Sequence, residues 1–509
     1  MWALSWWPHA LAHGLNPFVT HYLWAPTGVN VAQAAMIPTA AFVLAPFTAL
    51  FGPLFSYNLM SVAGPTLSAF TAYLLCRRLV RREMPAVVGG YLFGFSSYEF
   101  AQLTGHPNLT IVCLIPVMIH IALRRIDREI SRRGYVIVMG LVIILQSGLS
   151  TELLAECAGF GLVMLVCARL LAPQTLRRRI DGLMWETAGA GVFALVVGSP
   201  FYYYALFSGE FPKGVTTYGD IYAQDLLNTI FPTIATWLGH SDFQSLSATY
   251  VGGGVTGDDG YLGVPLVIGF LVWALGRERR RMLTRLVLIG AALSFVASLG
   301  SHLNIAGKKT VTLPFNWVEH LPVFNNLLPS RIALFTSLAV AIGISFWLAQ
   351  PTGRVIGRWL VVLLGVLTIF PNVTSALYGV APTNPRFFST AMYRRYLGRN
   401  ETILVLPFGY NDISSFWQAE SGFYFYMPEG YVSQVIPPPF NGEPIVGRLL
   451  ANASPPTASE LASFVHDHYV SHVVVDIASA GQWPAALSGM GLHGRSVGGV
   501  LLYTIPDAP

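Results

Sequence analysis

Residues 54–76 read LFSYNLMSVAGPTLSAFTAYLLC, and the chain continues with RRLVRR over residues 77–82. The first stretch has no charge and is long enough to cross a bilayer as a helix, since a span needs about 20 apolar residues. The second stretch is a cluster of arginines, which marks the cytoplasmic end of such a helix. An apolar run followed by a basic loop therefore predicts a membrane-spanning helix.

The composition of the whole chain is that of a membrane protein. Of its 509 residues 53% are hydrophobic and only 11% are charged, and the mean hydropathy is +0.55. A soluble domain carries about 25% charged residues. The net charge of +5 does not indicate nucleic-acid binding, because the basic residues lie in short clusters between apolar runs. Arginine outnumbers lysine 27 to 3, a bias that is typical of GC-rich bacterial genomes.

Nine further apolar runs extend the pattern to a predicted bundle of ten spans. With the first run included, the ten spans are residues 54–76, 85–102, 108–123, 135–150, 152–171, 184–207, 260–276, 283–300, 331–349 and 358–378. Alternate loops hold twenty arginines: Arg77, Arg78, Arg81, Arg82, Arg124, Arg125, Arg128, Arg132, Arg133, Arg169, Arg177, Arg178, Arg179, Arg277, Arg279, Arg280, Arg281, Arg285, Arg354 and Arg358. The other loops hold only Lys213, Lys308, Lys309 and Arg331. This alternation predicts a multi-pass protein of the bacterial cytoplasmic membrane, with loops 208–259 and 301–330 on the outer side.

Residues 1–53 are predicted to lie on the outer face as a loop followed by a short dipping helix. The helix, Ile37–Phe51, is about 15 residues long and therefore short for a span. Five aromatic rings near the start are predicted to form a belt at the membrane surface: Trp2, Trp6, Trp7, Tyr22 and Trp24. Ten crossings place both ends outside, so a further transmembrane helix is expected upstream of Met1. The alternative is that Ile37–Phe51 itself spans the membrane.

Residues 379–509 are predicted to form a small α/β domain outside the membrane. Three strands are expected, at Glu401–Leu406, Val470–Asp476 and Gly499–Ile505. Thr457 and Glu460 have the spacing of a capping box, which predicts a helix that continues to about Tyr469. The predicted fold is thus mainly α: a polytopic bundle over residues 54–378 with a C-terminal α/β domain.

Acidic residues at the outer ends of the spans are the first candidates for chemistry. Glu152 lies where span four turns into span five, and Glu156 follows one helical turn later on the same face. An ionisable group inside a bundle costs about 2.5–3.5 kcal/mol and usually faces a cavity or a partner. Glu152 is therefore predicted to act as a base, a metal ligand or a sugar-binding group. The alternative is that it caps the start of span five, where the helix dipole favours a carboxylate.

Four other polar residues lie at the predicted outer edge of the membrane. Glu99 and His106 flank the ends of spans two and three, and Asp258 and Asp259 follow a glycine-rich loop before span seven. The aspartates either bind a cation or sugar hydroxyls, or are ordinary acids at a helix start. For His106 the alternative is an ordinary hydrogen-bonded surface group.

Arg331 is the one arginine on the predicted outer side of the bundle, after Leu328-Pro-Ser at the start of span nine. A guanidinium fork suits a lipid-linked phosphate, so Arg331 is predicted to bind one. The alternative is that its side chain snorkels to the head groups of the outer leaflet.

Several short motifs resemble those of a known group of membrane enzymes. They are GLNPFVTHYLWAPTGVN at 14–30, a dipping helix that ends in FGP, TGHPNL at 104–109, STE at 150–152, YLG at 261–263 and LPSRIA at 328–333. In this order, and with basic cytoplasmic loops, the chain resembles the bacterial polytopic glycosyltransferases of the GT-C superfamily. These include arabinose-transferring and oligosaccharide-transferring membrane enzymes. The resemblance covers roughly residues 1–378 and, more loosely, the α/β tail.

The resemblance implies an outward-facing active site that transfers a sugar from a polyprenyl-phosphate donor to an envelope glycan, lipid or protein acceptor. In such a reaction a carboxylate takes the acceptor proton, and a cation or an arginine stabilises the departing phosphate. The catalytic candidates are Glu152, Asp258 and Asp259, with a divalent cation (Mg²⁺ or Mn²⁺) as a further option. The candidates for binding the donor phosphate and substrate are Arg331, His106 and Glu99.

One departure from the family concerns the catalytic base. Such enzymes carry an essential acidic residue in the first outer loop, whereas this sequence has no Asp or Glu before Glu83. The expected carboxylate would lie upstream of Met1, so the chain as given is predicted to lack its base. Two other functions stay open. A transporter or lipid flippase explains the spans but fits the large outer loops less well, and a non-catalytic protein of envelope assembly needs no base.

Overall fold

The computed structural model describes residues 1–34, 36–208, 219–239, 242–251, 260–276, 280–321, 326–351, 353–373, 377, 379, 382–409, 413–430, 436–451 and 456–506. Within these ranges the chain is mainly helical with a small β-sheet, as predicted.

The helices of this part of the chain are, in order, α1 (Trp2–Ala12), α2 (Pro38–Val80), α3 (Glu83–Gly94), α4 (Ser97–Leu103), α5 (Leu114–Ile126), α6 (Arg132–Ser147), α7 (Thr151–Leu171), α8 (Gln174–Val197), α9 (Ser199–Leu206), α10 (Gln244–Ser247), α11 (Val264–Ala274), α12 (Met282–Ser298), α13 (Phe315–Val318), α14 (Ala333–Ala349), α15 (Val355–Thr368), α16 (Arg386–Ser389), α17 (Ser414–Glu420), α18 (Pro444–Ala451), α19 (Ala458–Asp467) and α20 (Trp483–Gly489). The strands are β1 (Val19–Thr20), β2 (Val29–Asn30), β3 (His302–Ile305), β4 (Lys308–Thr312), β5 (Thr402–Leu406), β6 (Val470–Asp476), β7 (Arg495–Val497) and β8 (Val500–Thr504).

Contacts between residues divide the chain into two units, which we call the lobe and the bundle. The lobe comprises Met1–Leu59, Ser199–Lys213 and Ala381–Pro509, and the bundle comprises Met60–Gly198 and Gly214–Val380. The opening segment of the chain thus packs with the C-terminal segment. The domain boundaries at residues 53 and 378 stay predictions.

Five helical segments of the described chain are long and apolar enough to cross a membrane: Pro38–Val80, Pro107–Ile126, Thr151–Leu171, Gln174–Val197 and Pro329–Ala349. Three shorter apolar helices, α11, α12 and α15, fall on further predicted spans. The remaining two predicted spans overlap α3 and α6. The chain is therefore a multi-pass membrane protein, as expected, while the number of crossings and their orientation stay predictions.

The predicted dipping helix and the first predicted span belong to one kinked element, α2. Gly52 lies inside it with φ 83° and ψ 170°, which is not a helical conformation. Only glycine adopts a positive φ of this kind without steric cost. The short helix expected before Gly52 is therefore present as the part of α2 that precedes the kink.

The core of the bundle is built around α14. All but two of its 17 residues are buried, as expected for a helix that is apolar on every side. Glycines on α3 allow close approach of its neighbours: an added Cβ at Gly89 would collide with the Ser345 Oγ of α14, and one at Gly94 would collide with the Ala69 backbone nitrogen of α2. Close packing through small residues is the usual means by which membrane helices associate.

The lobe contains a four-stranded sheet in the order β5-β6-β8-β7. β5 and β6 are parallel, and the other pairs are antiparallel. The three strands expected from the sequence are confirmed, and so is the capping box of Thr457 and Glu460, although α19 ends at Asp467 and not at Tyr469. Strand β7 was not predicted, because it is only three residues long and mostly exposed.

The tryptophans of the opening segment are buried inside the lobe. Trp2, Trp6, Trp7 and Trp24 are each no more than 4% exposed. Trp2 and Trp6 stack with ring centroids 5.2 Å apart, and both meet the edge of Phe423. The prediction of a membrane-surface belt is therefore wrong for these four rings, because they contact apolar protein groups and have no surface left for head groups.

Candidate functional site

Glu152 and Arg331 come together at one end of the bundle. Glu152 lies in the first turn of α7, and Arg331 lies in the 3-10 turn Pro329–Ile332 that leads into α14. The Arg331 Nη1 donates to the Glu152 Oε2 in a close ion pair.

The capping alternative for Glu152 does not describe its side chain. Ser150 is the N-cap of α7, and its hydroxyl oxygen accepts from the Leu153 amide at 3.2 Å. The Glu152 carboxylate points instead to Arg331, although its place in the first turn still benefits from the helix dipole. The Glu152 Oε1 has no hydrogen-bond partner in the described part of the chain. A largely buried carboxylate oxygen without a donor is a candidate contact for a substrate group.

The Arg331 side chain is turned into the protein. It is only 11% exposed, against 25% for Glu152. A snorkelling arginine instead extends its charged end away from the protein toward head groups. The geometry therefore favours a guanidinium that is held in place for a ligand or for Glu152.

His106 lies close enough to Arg331 to respond to its charge. It precedes the 3-10 turn Pro107–Thr110, and its backbone N–H donates to the Gln102 carbonyl at 2.7 Å. The His106 side chain is partly exposed to solvent, but the surrounding protein partly desolvates the imidazole. This desolvation, followed by the charge of Arg331, lowers the pKa of His106 below its usual range. At neutral pH the ring is therefore neutral, with one nitrogen that donates and one that accepts.

Glu99 is fully buried on α4, with 0% of its surface exposed. Ser68 on α2 is a neighbouring hydroxyl group, but its Oγ donates to the Thr110 carbonyl oxygen at 3.1 Å. Neither oxygen of Glu99 has a hydrogen-bond partner within the described ranges. A buried carboxyl group without donors is costly, so Glu99 remains a candidate for a role in binding. No hydrogen bond or ion pair between Glu99 and the Glu152–Arg331 pair is found in these ranges.

Asp258 and Asp259 lie outside the described residues. The chain that follows them is fixed to the bundle, since the Ser97 hydroxyl of α4 donates to the Tyr261 carbonyl oxygen. The Gly263 amide donates in turn to the Thr229 carbonyl oxygen at 3.1 Å. Ser97 is two residues before Glu99, so α4 and the segment that leads into α11 are held together.

Two buried amides were missed by the sequence analysis. The side chains of Gln146 and Asn228 are 0% exposed, and neither amide has a hydrogen-bond partner among the residues that the structure describes. Gln146 lies in the last turn of the apolar helix α6, and its backbone carbonyl oxygen accepts from the Ser150 backbone amide at 2.9 Å, close to Glu152 in the chain. A glutamine in the last turn of an apolar helix was a visible signal, whereas Asn228 lies in a loop without a recognisable pattern.

Asp225, which no sequence pattern singled out, joins two loops that are predicted to lie on the outer side. Its carboxylate accepts from the backbone N–H groups of Leu227 at 2.9 Å, Ala306 at 3.2 Å and Gly307 at 2.8 Å. All of its described partners are backbone groups of the protein, so its role is structural. In the described part of the chain, no group of three or more His, Cys, Asp or Glu side chains is placed to hold a metal ion.

Comparisons with known proteins identify the family and the fold. The family model described as a domain of unknown function, DUF6311, matches residues 5–370. No curated protein matches the sequence. The oligosaccharyltransferase of Archaeoglobus fulgidus, solved with a tethered acceptor peptide that contains the NVT sequon, is similar with a TM-score of 0.53 and 13% identity, over 100% of this chain and 70% of that chain.

A second solved structure, ArnT from Cupriavidus metallidurans bound to undecaprenyl phosphate, has a TM-score of 0.42 and 13% identity, over 99% of this chain and 93% of that chain. That likeness is weak. At 13% identity the archaeal enzyme shows a shared fold and nothing about substrates. The chain therefore belongs to the DUF6311 family, and its fold is that of the GT-C membrane glycosyltransferases, as the sequence motifs predicted.

Proposed function

We propose that this chain is an integral membrane glycosyltransferase. It takes a sugar from a polyprenyl-phosphate donor and transfers it to an envelope glycan, lipid or protein acceptor on the outer face of the cytoplasmic membrane. In this orientation the arginine-rich loops face the cytoplasm and the lobe lies outside. The observation that carries the proposal is the Glu152–Arg331 pair, in which a largely buried guanidinium contacts a carboxylate within a GT-C fold.

Arg331 is proposed to bind the phosphate of the donor. A phosphate offers the guanidinium two oxygens in the fork geometry that a carboxylate also offers, so the two anions compete for the same group. When the donor binds, its phosphate takes the place of Glu152 on Arg331. The guanidinium then stabilises the negative charge that grows as the bond between the phosphate oxygen and the sugar carbon breaks.

Glu152, once released from Arg331, is proposed to accept the acceptor's proton or to accept a hydrogen bond from a sugar hydroxyl. The acceptor hydroxyl attacks the anomeric carbon, its proton passes to a carboxylate, and polyprenyl phosphate leaves with the bonding electron pair. Asp258 and Asp259 stay alternative candidates for this carboxylate. His106, neutral at pH 7, is proposed to donate a hydrogen bond to the phosphate or sugar, and Glu99 to bind the substrate.

A divalent cation, Mg²⁺ or Mn²⁺, stays part of the proposal as a second means of stabilising the phosphate. Oxygen ligands such as the carboxylates of Asp258 and Asp259 suit either metal. Transfer measured before and after treatment with a chelator, with each metal added back, tests this point. Unchanged transfer in excess chelator would remove the cation from the mechanism.

The proposed function is tested with membranes that contain the full chain and a radiolabelled polyprenyl-phosphate sugar. Arg331→Ala and Glu152→Ala should each lower incorporation at least about tenfold, since a charge-assisted hydrogen bond contributes about 1.5–3 kcal/mol. Lys308→Ala is the matched control, because it removes an exposed cation from another predicted outer loop. Full activity in both variants at equal protein levels would contradict the assignment, and uptake of labelled lipid without incorporation would favour a transporter.

A further inference from the structure

A cavity of about 640 Å³ lies where α2 and α5 end, apart from the Glu152–Arg331 pair. Its lining combines leucines with histidine, arginine and acidic side chains: Leu74, Leu79, Leu123, His120, Arg77, Arg78, Arg81, Asp127 and Glu129. Glu129, which lines the cavity, lies three residues before the start of α6. Helix α6 ends four residues before the start of α7, the helix that carries Glu152. With 16 residues it separates the two places by a helix length of about 24 Å.

The three arginines differ in how far they are neutralised. The guanidinium of Arg78 meets two carboxylates, at 2.6 Å from Asp127 and 2.5 Å from Glu129, and is 20% exposed. Arg77 pairs with Glu83 at 2.8 Å but stays 53% exposed. Arg81 has no ion pair or side-chain hydrogen bond within the ranges that the structure describes. Among the described residues, the cavity therefore presents one positive charge without an ion-pair partner, that of Arg81, close to three leucines.

The backbone of Arg81 supports a role for its side chain. Its φ is 53°, in the left-handed region, and its amide donates to the Arg77 carbonyl at 2.9 Å where α2 ends. Glycine is the usual residue at such a helix end, and a residue with a side chain costs about 1–2 kcal/mol there. Arginine at this position therefore places a charge at the cavity at the expense of local stability.

We propose that this cavity binds the head group of an anionic phospholipid. The phosphodiester of such a lipid carries a single negative charge, which matches the single uncompensated charge of Arg81. The leucines suit the apolar part of the lipid near the glycerol, and Arg77 can turn from Glu83 toward the phosphate because its side chain is half exposed. The shared chemistry with inorganic phosphate is the anionic oxygen, so the test must separate the two sources.

The experiment uses the full chain in lipid nanodiscs and native mass spectrometry of the retained lipids. With phosphatidylglycerol and phosphatidylcholine present in equal amounts, the unaltered protein should retain phosphatidylglycerol preferentially. Arg81→Ala should lower that retention about three- to tenfold, as expected for the loss of one charge-assisted contact. Arg133→Ala, which removes an exposed arginine from the start of α6, should leave it unchanged.

A second variant separates binding from folding. Arg81→Gly removes the charge and also relieves the left-handed backbone, so it should lose lipid retention while its thermal midpoint stays equal or rises. Equal retention in the Arg81 and Arg133 variants would overturn the site. Displacement of the lipid by millimolar inorganic phosphate would overturn the lipid as its ligand.

Discussion

The carboxylate of Glu152 and the guanidinium of Arg331 form an ion pair although they are 179 residues apart in the chain. The pair joins the first turn of α7 to the turn ahead of α14, the most buried helix of the bundle. Removing one partner of a buried pair leaves the other charge without compensation, which costs about 3–5 kcal/mol. If the pair is only structural, substitution of either residue should therefore be harmful in the same way. If Arg331 binds a phosphate, the two substitutions should change phosphate binding differently.

The first prediction is that the two partners affect phosphate binding in opposite directions. Arg331→Ala should weaken the binding of polyprenyl phosphate at least about tenfold, since it removes the cation. Glu152→Gln should strengthen binding several-fold, because the carboxylate no longer competes for the guanidinium. Calorimetric titration of purified protein in detergent measures both. If both variants lose affinity to the same extent, the pair is structural.

The second prediction concerns the pH dependence of that binding. Desolvation and the charge of Arg331 lower the pKa of His106, so the ring gains its proton only below the usual histidine range. Protonation adds a positive charge near the phosphate, and binding should therefore strengthen as the pH falls from 7.5 to 5. His106→Gln should flatten this component while leaving the titration of the lipid phosphate itself. An unchanged profile in His106→Gln would show that another group is responsible.

The third prediction concerns the acid stability of the lobe. Burial, then His13 and Arg399, lowers the pKa of His9 from 6.5 to about 4. In the unfolded chain the ring takes up a proton near pH 6.5, while the folded protein resists until about pH 4. The lobe should therefore lose stability as the pH falls through this window.

His9→Phe should remove part of that loss, since Phe preserves the ring contact with Phe423 at 4.4 Å without a titrating group. Thermal midpoints at pH 7.5 and 4.5 provide the measurement, with the exposed His493→Phe as control. The same acid shift in all three proteins would contradict the prediction.

The fourth prediction concerns Gln418, the buried centre of the lobe. Its amide accepts from the Trp2 indole N–H at 2.7 Å and donates to the carbonyl oxygens of Tyr22 at 2.8 Å and Phe425 at 3.0 Å. Gln418→Ala leaves the Trp2 indole N–H and the Phe425 carbonyl oxygen without this partner, and each loss costs about 1–3 kcal/mol. The Tyr22 carbonyl oxygen keeps its hydrogen bond from the Met427 amide at 3.0 Å. The thermal midpoint should fall by several degrees and α1 should become accessible to protease, whereas Ser415→Ala on the same helix should change neither.

Local patterns in the sequence were sufficient for part of this structure. The capping box of Thr457 and Glu460 and the strands around it rest on neighbours in the chain, and they form as expected. The meeting of Glu152 with Arg331 carries no such signal, because it depends on how distant helices pack. The burial of Trp2 and Trp6 was also hidden, since rings in a protein core and rings at a membrane surface have the same composition.

The dependence of α1 on α17 has a consequence for biosynthesis. Trp2 and Gln418 are separated by 416 residues, and at about 5–20 residues per second the ribosome needs about 20–80 s to make the chain between them. During that time the tryptophans of the opening segment have no final partners. The lobe can therefore be completed only near the end of translation. Until then, the cell must prevent the exposed aromatic side chains of the opening segment from aggregating.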